Sequence, residues 1–176
     1  MRHFHLVSDT ADVGALRNAV QRQPGLWNEN TLRTKHEGTV HGEVDDIWLR
    51  FNDTAGDVID DTECLDYPAF EKLPQSRPLV FDLMRYVEGT RLGRVIITRL
   101  PPGGKILPHA DQGAPATYYE RYQFILQGVR GCTFRIGEEA VEMQTGQIWW
   151  INNAEEHEVV NLGDDDRIAM IVDVRC

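Results

Sequence analysis

Apolar positions along the chain change their period once, near Gly93. Before it the pattern is mixed. From Thr10 to Arg22, Val13, Leu16 and Val20 recur at helical spacing behind a polar cap, and Pro24-Gly25 stops the run, which predicts an amphipathic helix. Asp46 to Phe51 alternates and predicts a strand. Pro78 to Glu88 puts Leu79 or Leu83, Met84 and Val87 on one helical face, with Pro78 near the start and Gly89 near the end. His3 and His5 read as positions on a first strand.

After Gly93 the chain becomes a series of short strands punctuated by turns. The candidates are Arg94–Leu100, Tyr118–Leu126, Cys132–Ile136, Ala140–Met143, Gln147–Ile151, Glu158–Leu162 and Ile168–Val174. Gly137-Glu138-Glu139, Thr145-Gly146 and Gly163-Asp164-Asp165-Asp166 carry turn chemistry between them. Regular short strands of this kind predict a jelly roll, a class that includes the cupin-like double-stranded β-helix. The expected fold is therefore mostly β with flanking helices. Trp149 and Trp150 alternate, so one should face the barrel interior and the other the outer helices.

Length and composition narrow the picture. A chain of 176 residues suits one domain, divided here into flanking elements over 1–92 and a jelly-roll core over 93–176. Apolar residues make up 41% of it and four are Trp, which argues against disorder. The formal charge of −10, without a dense Lys/Arg block, argues against nucleic acid as a partner. Cys64, Cys132 and Cys176 are an odd set with no C-x-x-C spacing, so neither a disulfide framework nor a zinc knuckle is indicated. No apolar stretch is long enough to span a membrane and no leader-like run opens the chain, so a reduced, cytoplasmic setting is expected.

The candidate chemistry lies in the second half. His109 and Asp111 form an H-x-D pair, His157 follows far downstream, and Arg167 stands ten positions beyond it. On an extended strand residues i and i+2 share a face, so an imidazole and a carboxylate can reach one ion. Pro108 keeps the approach to His109 extended. Two imidazoles and one carboxylate on one face of an octahedron leave three positions open, the arrangement of non-haem iron(II) oxygenases. An H-x-D pair alone is weak evidence and reads first as an ordinary His–Asp hydrogen bond; the conjunction with His157 and Arg167 carries the assignment. The Gly163–Asp166 turn is expected to bring Arg167 onto a strand beside the one His157 begins, inside one barrel mouth. Glu155, Glu156 and Glu158 read as solvated.

These residues carry a resemblance. Leu100-Pro101-Pro102-Gly103-Gly104, His109-Ala110-Asp111, Gly146 to Asn153, and His157-Glu158-Val159-Val160-Asn161 through Arg167 to Val174 resemble the aspartyl/asparaginyl β-hydroxylase family of iron(II)- and 2-oxoglutarate-dependent oxygenases, which includes small proline-hydroxylase-like members. The resemblance implies iron(II) on His109, Asp111 and His157, 2-oxoglutarate and dioxygen as co-substrates, and hydroxylation coupled to decarboxylation of 2-oxoglutarate to succinate. Arg167 would hold the far carboxylate of 2-oxoglutarate as a planar, permanently charged fork. Arg121 lies where related enzymes place a second basic contact, and it reads equally as a solvated strand charge. Asn161 is expected to hydrogen-bond a backbone group beside the co-substrate, or to be a strand-end amide.

For the substrate the candidates are Arg50 and Trp48 on the early strand and Tyr118 before Arg121, with Arg50 as the holder of a substrate carboxylate or as an ordinary salt-bridge partner. No appended helical-repeat region is evident. The expected substrate is a free amino acid, a peptide or an exposed protein residue. Two rival readings stay open: a cupin-fold metal enzyme that does not use 2-oxoglutarate, and a non-catalytic metal-binding module.

Overall fold

The computed structural model describes residues 1–55 and 61–176. In chain order the elements are β1 (Phe4–Ser8), α1 (Gly14–Gln21), a 3-10 turn (Pro24–Leu26), β2 (Asp45–Phe51), β3 (Leu65–Asp66), α2 (Pro68–Lys72), α3 (Ser76–Tyr86), β4 (Arg91–Leu100), β5 (Lys105–His109), α4 (Ala114–Tyr118), β6 (Glu120–Gln127), β7 (Cys132–Ile136), β8 (Glu139–Val141), β9 (Ile148–Ile151), β10 (His157–Asn161) and β11 (Arg167–Arg175).

Two antiparallel sheets face each other. The larger has seven strands in the order β1-β9-β6-β11-β4-β2-β3, and the smaller has four in the order β5-β10-β7-β8. Non-consecutive neighbours in both sheets are the wrapped pairing of a double-stranded β-helix, as the strand pattern predicted. Alternation decides which side chains go where. On β6 and β11, Phe124, Leu126, Met170 and Val172 point outward into a cluster shared with Leu16 and Val20 of α1, Phe70 of α2 and Val80 and Leu83 of α3. Ile125 and Ala169 point inward against Phe134 and Ile136 of the smaller sheet. Trp149 joins this inner cluster and Trp150 the outer one, as alternation requires.

The expected break at residue 92 is not a structural boundary. β4 begins at Arg91, and β1, β2 and β3 extend the same sheet as the C-terminal strands. β11 explains why: eight of its nine residues are buried, because it lies mid-sheet with the helices on one face and the smaller sheet on the other. The expected strand over Tyr118–Leu126 begins at Glu120, because Ala114–Tyr118 closes a short helix first, opened by Pro115 in its first turn. The elements missed altogether include β3, α2 and α4, of two, five and five residues, which are too short for periodicity to register.

Candidate metal centre

β5 and β10 are neighbours in the smaller sheet, and their register makes His109 and His157 direct cross-strand partners. Their rings stand 4.3 Å apart between centroids. Each imidazole is held by its own chain. His109 Nδ1 lies 2.7 Å from the Leu107 carbonyl and His157 Nδ1 lies 2.9 Å from that of Glu155. A carbonyl can only accept, so each Nδ1 carries the proton and donates, leaving the Nε2 lone pair turned to the cavity.

Asp111 does not lie on the strand. β5 ends at His109, and Asp111 is placed by its backbone N–H, which donates to the Asn153 carbonyl at 3.0 Å. Strand alternation is therefore not what brings it to the imidazoles. One carboxylate oxygen, Oδ2, accepts from Asn153 Nδ2 at 2.9 Å and from Arg121 Nη1. The other, Oδ1, is 3.4 Å from His109 Nε2. Burial would raise the Asp111 carboxyl, but Arg121, the adjoining His109, the hydrogen bond from Asn153 and the nearby His157 together hold it well below the usual carboxylate range. Burial likewise lowers His157, against the pull of Asp111. The three ligand atoms lie within 4.8 Å of one another. Two imidazole nitrogens and a carboxylate oxygen converge there, which is a donor set that a cation satisfies. Atoms bound to one ion at about 2.1 Å sit roughly 3 Å apart at a right angle, so closing onto a metal needs only small side-chain adjustments. The residues fit iron(II).

Arg121 is fully committed to carboxylates. Its Nε and Nη2 donate to Asp173 Oδ1 and Oδ2 at 2.8 and 2.9 Å, and Nη1 holds Asp111. Arg121 lines the same cavity as the two histidines, and there it clamps Asp111. Nothing in the sequence within reach of Arg121 announced Asp173, which pairs with it from β11. Asn161 is also spent internally: its Nδ2 donates to Leu100 and Asp165 carbonyls at 3.0 and 2.9 Å, and its Oδ1 accepts from Gly163 N–H. It braces the turn before β11, where an added Cβ at Gly163 would meet the Arg130 carbonyl at 2.6 Å.

Arg167 behaves differently. It is 5% exposed and lines the same cavity as His109 and His157. Its strand belongs to the larger sheet, between β6 and β4, and not beside β10 as the turn suggested. Arg167 thus faces the imidazoles across the sandwich. Its partners are Gln123 Oε1 at 2.6 Å, Met143 Sδ at 3.8 Å and the Phe134 ring. Among the described residues no carboxylate pairs with it. A buried guanidinium without an anion is costly and is retained only where something else supplies the charge.

The remaining wall includes Thr98, Gln123, Ile151 and Ile171, with Arg33 and His41 from the long loop before β2. His41 packs edge-on against His109 at 4.8 Å, and burial, with Arg33 and His109 nearby, pushes its pKa down to about 2. The sequence reading missed it, because a lone histidine in a loop carries no spacing signal. None of the three substrate candidates lines this cavity. Trp48 is 2% exposed and stacks on Phe51 at 3.9 Å. Arg50 pairs with Asp66 at 2.6 Å. Tyr118 lies between the guanidinium groups of Arg91 and Arg175. A roomier cavity of about 690 Å³ lies on the far side of the larger sheet, against α1 and α3, and has no converging titratable cluster.

A sequence profile described as aspartyl/asparaginyl beta-hydroxylase matches residues 11–176. No curated protein sequence matches the chain at a significant level. Among solved structures, a Pseudomonas putida prolyl-4-hydroxylase aligns over 98% of this chain and 92% of its own, with a TM-score of 0.56 at 12% identity. A 2OG-Fe(II) oxygenase-family oxidoreductase from Burkholderia pseudomallei aligns with the same score and identity over 75% of this chain, which spans 66% of that one. At such identity these two likenesses show the fold alone.

Proposed function

The chain belongs to the aspartyl/asparaginyl β-hydroxylase family of iron(II)- and 2-oxoglutarate-dependent oxygenases, and we propose that it hydroxylates an unactivated C–H bond of an amino acid, a peptide or an exposed protein residue. The observation that carries this reading is the buried Arg167, paired with no carboxylate among the described residues, opening into the cavity that the two histidines also line. A dicarboxylate co-substrate supplies the counter-charge for Arg167; a cupin metal enzyme without one would need an acidic substrate to do so.

The chain's residues have distinct tasks. His109, Asp111 and His157 would hold the iron, with both imidazoles presented through Nε2. Arg121 and Asn153 keep Asp111 ionised and turned so that Oδ1 is free toward the metal. Arg167, steadied by Gln123, would receive the distal carboxylate of 2-oxoglutarate as a fork, where Lys would offer only a point charge. Ile151, Phe134 and Ile171 give the cavity apolar walls, beside which each of these electrostatic contacts is stronger than in water. When bound, iron(II) would activate dioxygen, the oxidant, with 2-oxoglutarate as co-reductant: one oxygen atom goes into succinate as 2-oxoglutarate loses carbon dioxide, and the other converts the substrate C–H to C–OH.

The test is spectroscopic first. An anaerobic iron(II) sample should develop a weak visible charge-transfer band only when 2-oxoglutarate is added, and succinate should form on admitting oxygen. A sample that binds iron but neither develops the band nor releases succinate returns the protein to the class of cupin-fold metal proteins that do not use 2-oxoglutarate.

A further inference from the structure

The helices cover the outer face of the larger sheet unevenly. Alternation turns Val7 of β1, Trp150 of β9 and Phe124 of β6 toward that face, where they join the cluster built with α1 and α3. β11, in the middle of the sheet, is buried beneath it, whereas Val7 and Trp150 are only half-buried. Between α1 and α3 the surface sinks into the cavity of about 690 Å³, and a second of about 350 Å³ adjoins it, with Val7 and Tyr86 in the walls of both. The two form one groove floored by strands and walled mainly by aliphatic and aromatic groups. Tyr86, at the junction, is 72% exposed. Apolar area of this extent is ordinarily covered in a working protein.

The charged groups of the groove have one sign. Its lining holds no Lys or Arg, and its carboxylates are Asp12, Asp82 and Glu120. Asp82 forms an exposed pair with Arg85. Asp12 accepts from the Gly14 N–H and Glu120 from the Tyr122 hydroxyl, both neutral donors. No Lys or Arg of the described residues pairs with either. One carboxylate without a cation therefore stands in each cavity.

A channel between two helices on a sheet is the place where one more helix of the same layer would pack. We propose that this groove docks a basic amphipathic helix of a partner protein. Apolar side chains at i, i+3, i+4 and i+7 of that helix fill the two cavities around Tyr86, and Lys or Arg on its flanks meet Asp12 and Glu120. A second copy of this chain suits the groove less well, because each copy carries a net charge of −10. The metal cavity lies on the other face of the larger sheet, so docking leaves it open and tethers the enzyme without entering its active site.

The experiment uses the whole chain and a labelled synthetic peptide of about 18 residues, long enough to form a helix, with Leu on one helical face and Lys elsewhere. Fluorescence anisotropy should give saturable binding with one peptide per chain. Two control peptides, one with every Lys replaced by Glu and one with the same residues reordered so that the Leu share no face, should bind at least roughly 10-fold more weakly. Tyr86→Ala, at an exposed position, should weaken the first peptide roughly 10- to 30-fold, the loss expected for a central anchor. Asp12→Lys/Glu120→Lys should weaken it roughly 10-fold and flatten its salt dependence, while Glu138→Lys/Asp164→Lys, outside the groove, should leave it within about 2-fold. The proposal is overturned if the first peptide does not saturate, if either control peptide binds as well, or if the groove variants bind it as the parent does. It is equally overturned if sedimentation shows a parent dimer that Tyr86→Ala turns into a monomer, because the groove is then filled by a second copy.

Discussion

Replacing Arg167 tests the anchor through two measurements of opposite sign. The guanidinium is 5% exposed, its strongest described contact is one amide oxygen, and no described carboxylate offsets its charge. Exchanging a buried ionic group for an apolar one of similar volume is worth about 1–4 kcal/mol. Against this, Arg167→Met alone strands Gln123 Oε1, a loss of about 1–3 kcal/mol. The double variant Arg167→Met/Gln123→Leu removes that counterweight, so the ligand-free protein should gain about 2 kcal/mol. At this chain length that raises the melting temperature by about 4–8 °C. The same change should weaken 2-oxoglutarate by about 2 kcal/mol, roughly 30-fold. Scanning calorimetry under anaerobic iron(II) reads both effects. Co-substrate at about 100 times its parental Kd should stabilise the parent by about 2.7 kcal/mol and the variant by only about 0.9 kcal/mol. A variant that melts below the parent without ligand, or that responds to 2-oxoglutarate as the parent does, would refute the reasoning.

Other substitutions probe the rest of the centre. His157→Ala should abolish iron binding in titration calorimetry, while Asn153→Ala, which frees Asp111 Oδ2 of one donor, should weaken it by about 10-fold; equal affinities in the two variants would contradict the assigned roles. Arg121→Ala should cost about 3–5 kcal/mol in urea unfolding, because Asp173, 2% exposed, keeps its charge and loses its bidentate partner. A loss under about 1 kcal/mol would mean that Asp173 takes up a proton or water instead. His41 titrates near 2 when folded and near 6.5 when unfolded, so its contribution is intact above pH 6.5 and declines as pH falls below it. By pH 5 the metal-free protein should lose about 2 kcal/mol on this account, and His41→Phe should flatten the profile; an unchanged profile would show that His41 is solvated.

How much of this was legible depended on the range of each interaction. Helices α1 and α3 and most strands announced themselves because periodicity is a local property, and Trp149 and Trp150 were assigned to opposite faces by alternation alone. His109, Asp111, His157 and Arg167 were found because residue type and spacing survive in the linear text. The failures share a cause. Arg121, Arg50 and Asn161 were sound candidates by type, but whether a polar group is free depends on what folds against it. Asp173, Asp66 and the Leu100 carbonyl come from distant segments, and they satisfied those groups before any ligand could.

The sequence by itself determined the strand-rich class, the identity of the metal-binding side chains and the presence of an arginine after the last turn. Only the tertiary structure decided that His109 and His157 meet across a β5–β10 register, that Asp111 is positioned by Asn153 and not by strand alternation, and that Arg167 reaches the cavity from the opposite sheet. Side-chain chemistry and periodicity are properties of a few consecutive residues. Which charges cancel and which stay open to a ligand is a property of the packed whole, because it depends on sheet order and register between residues far apart in the chain.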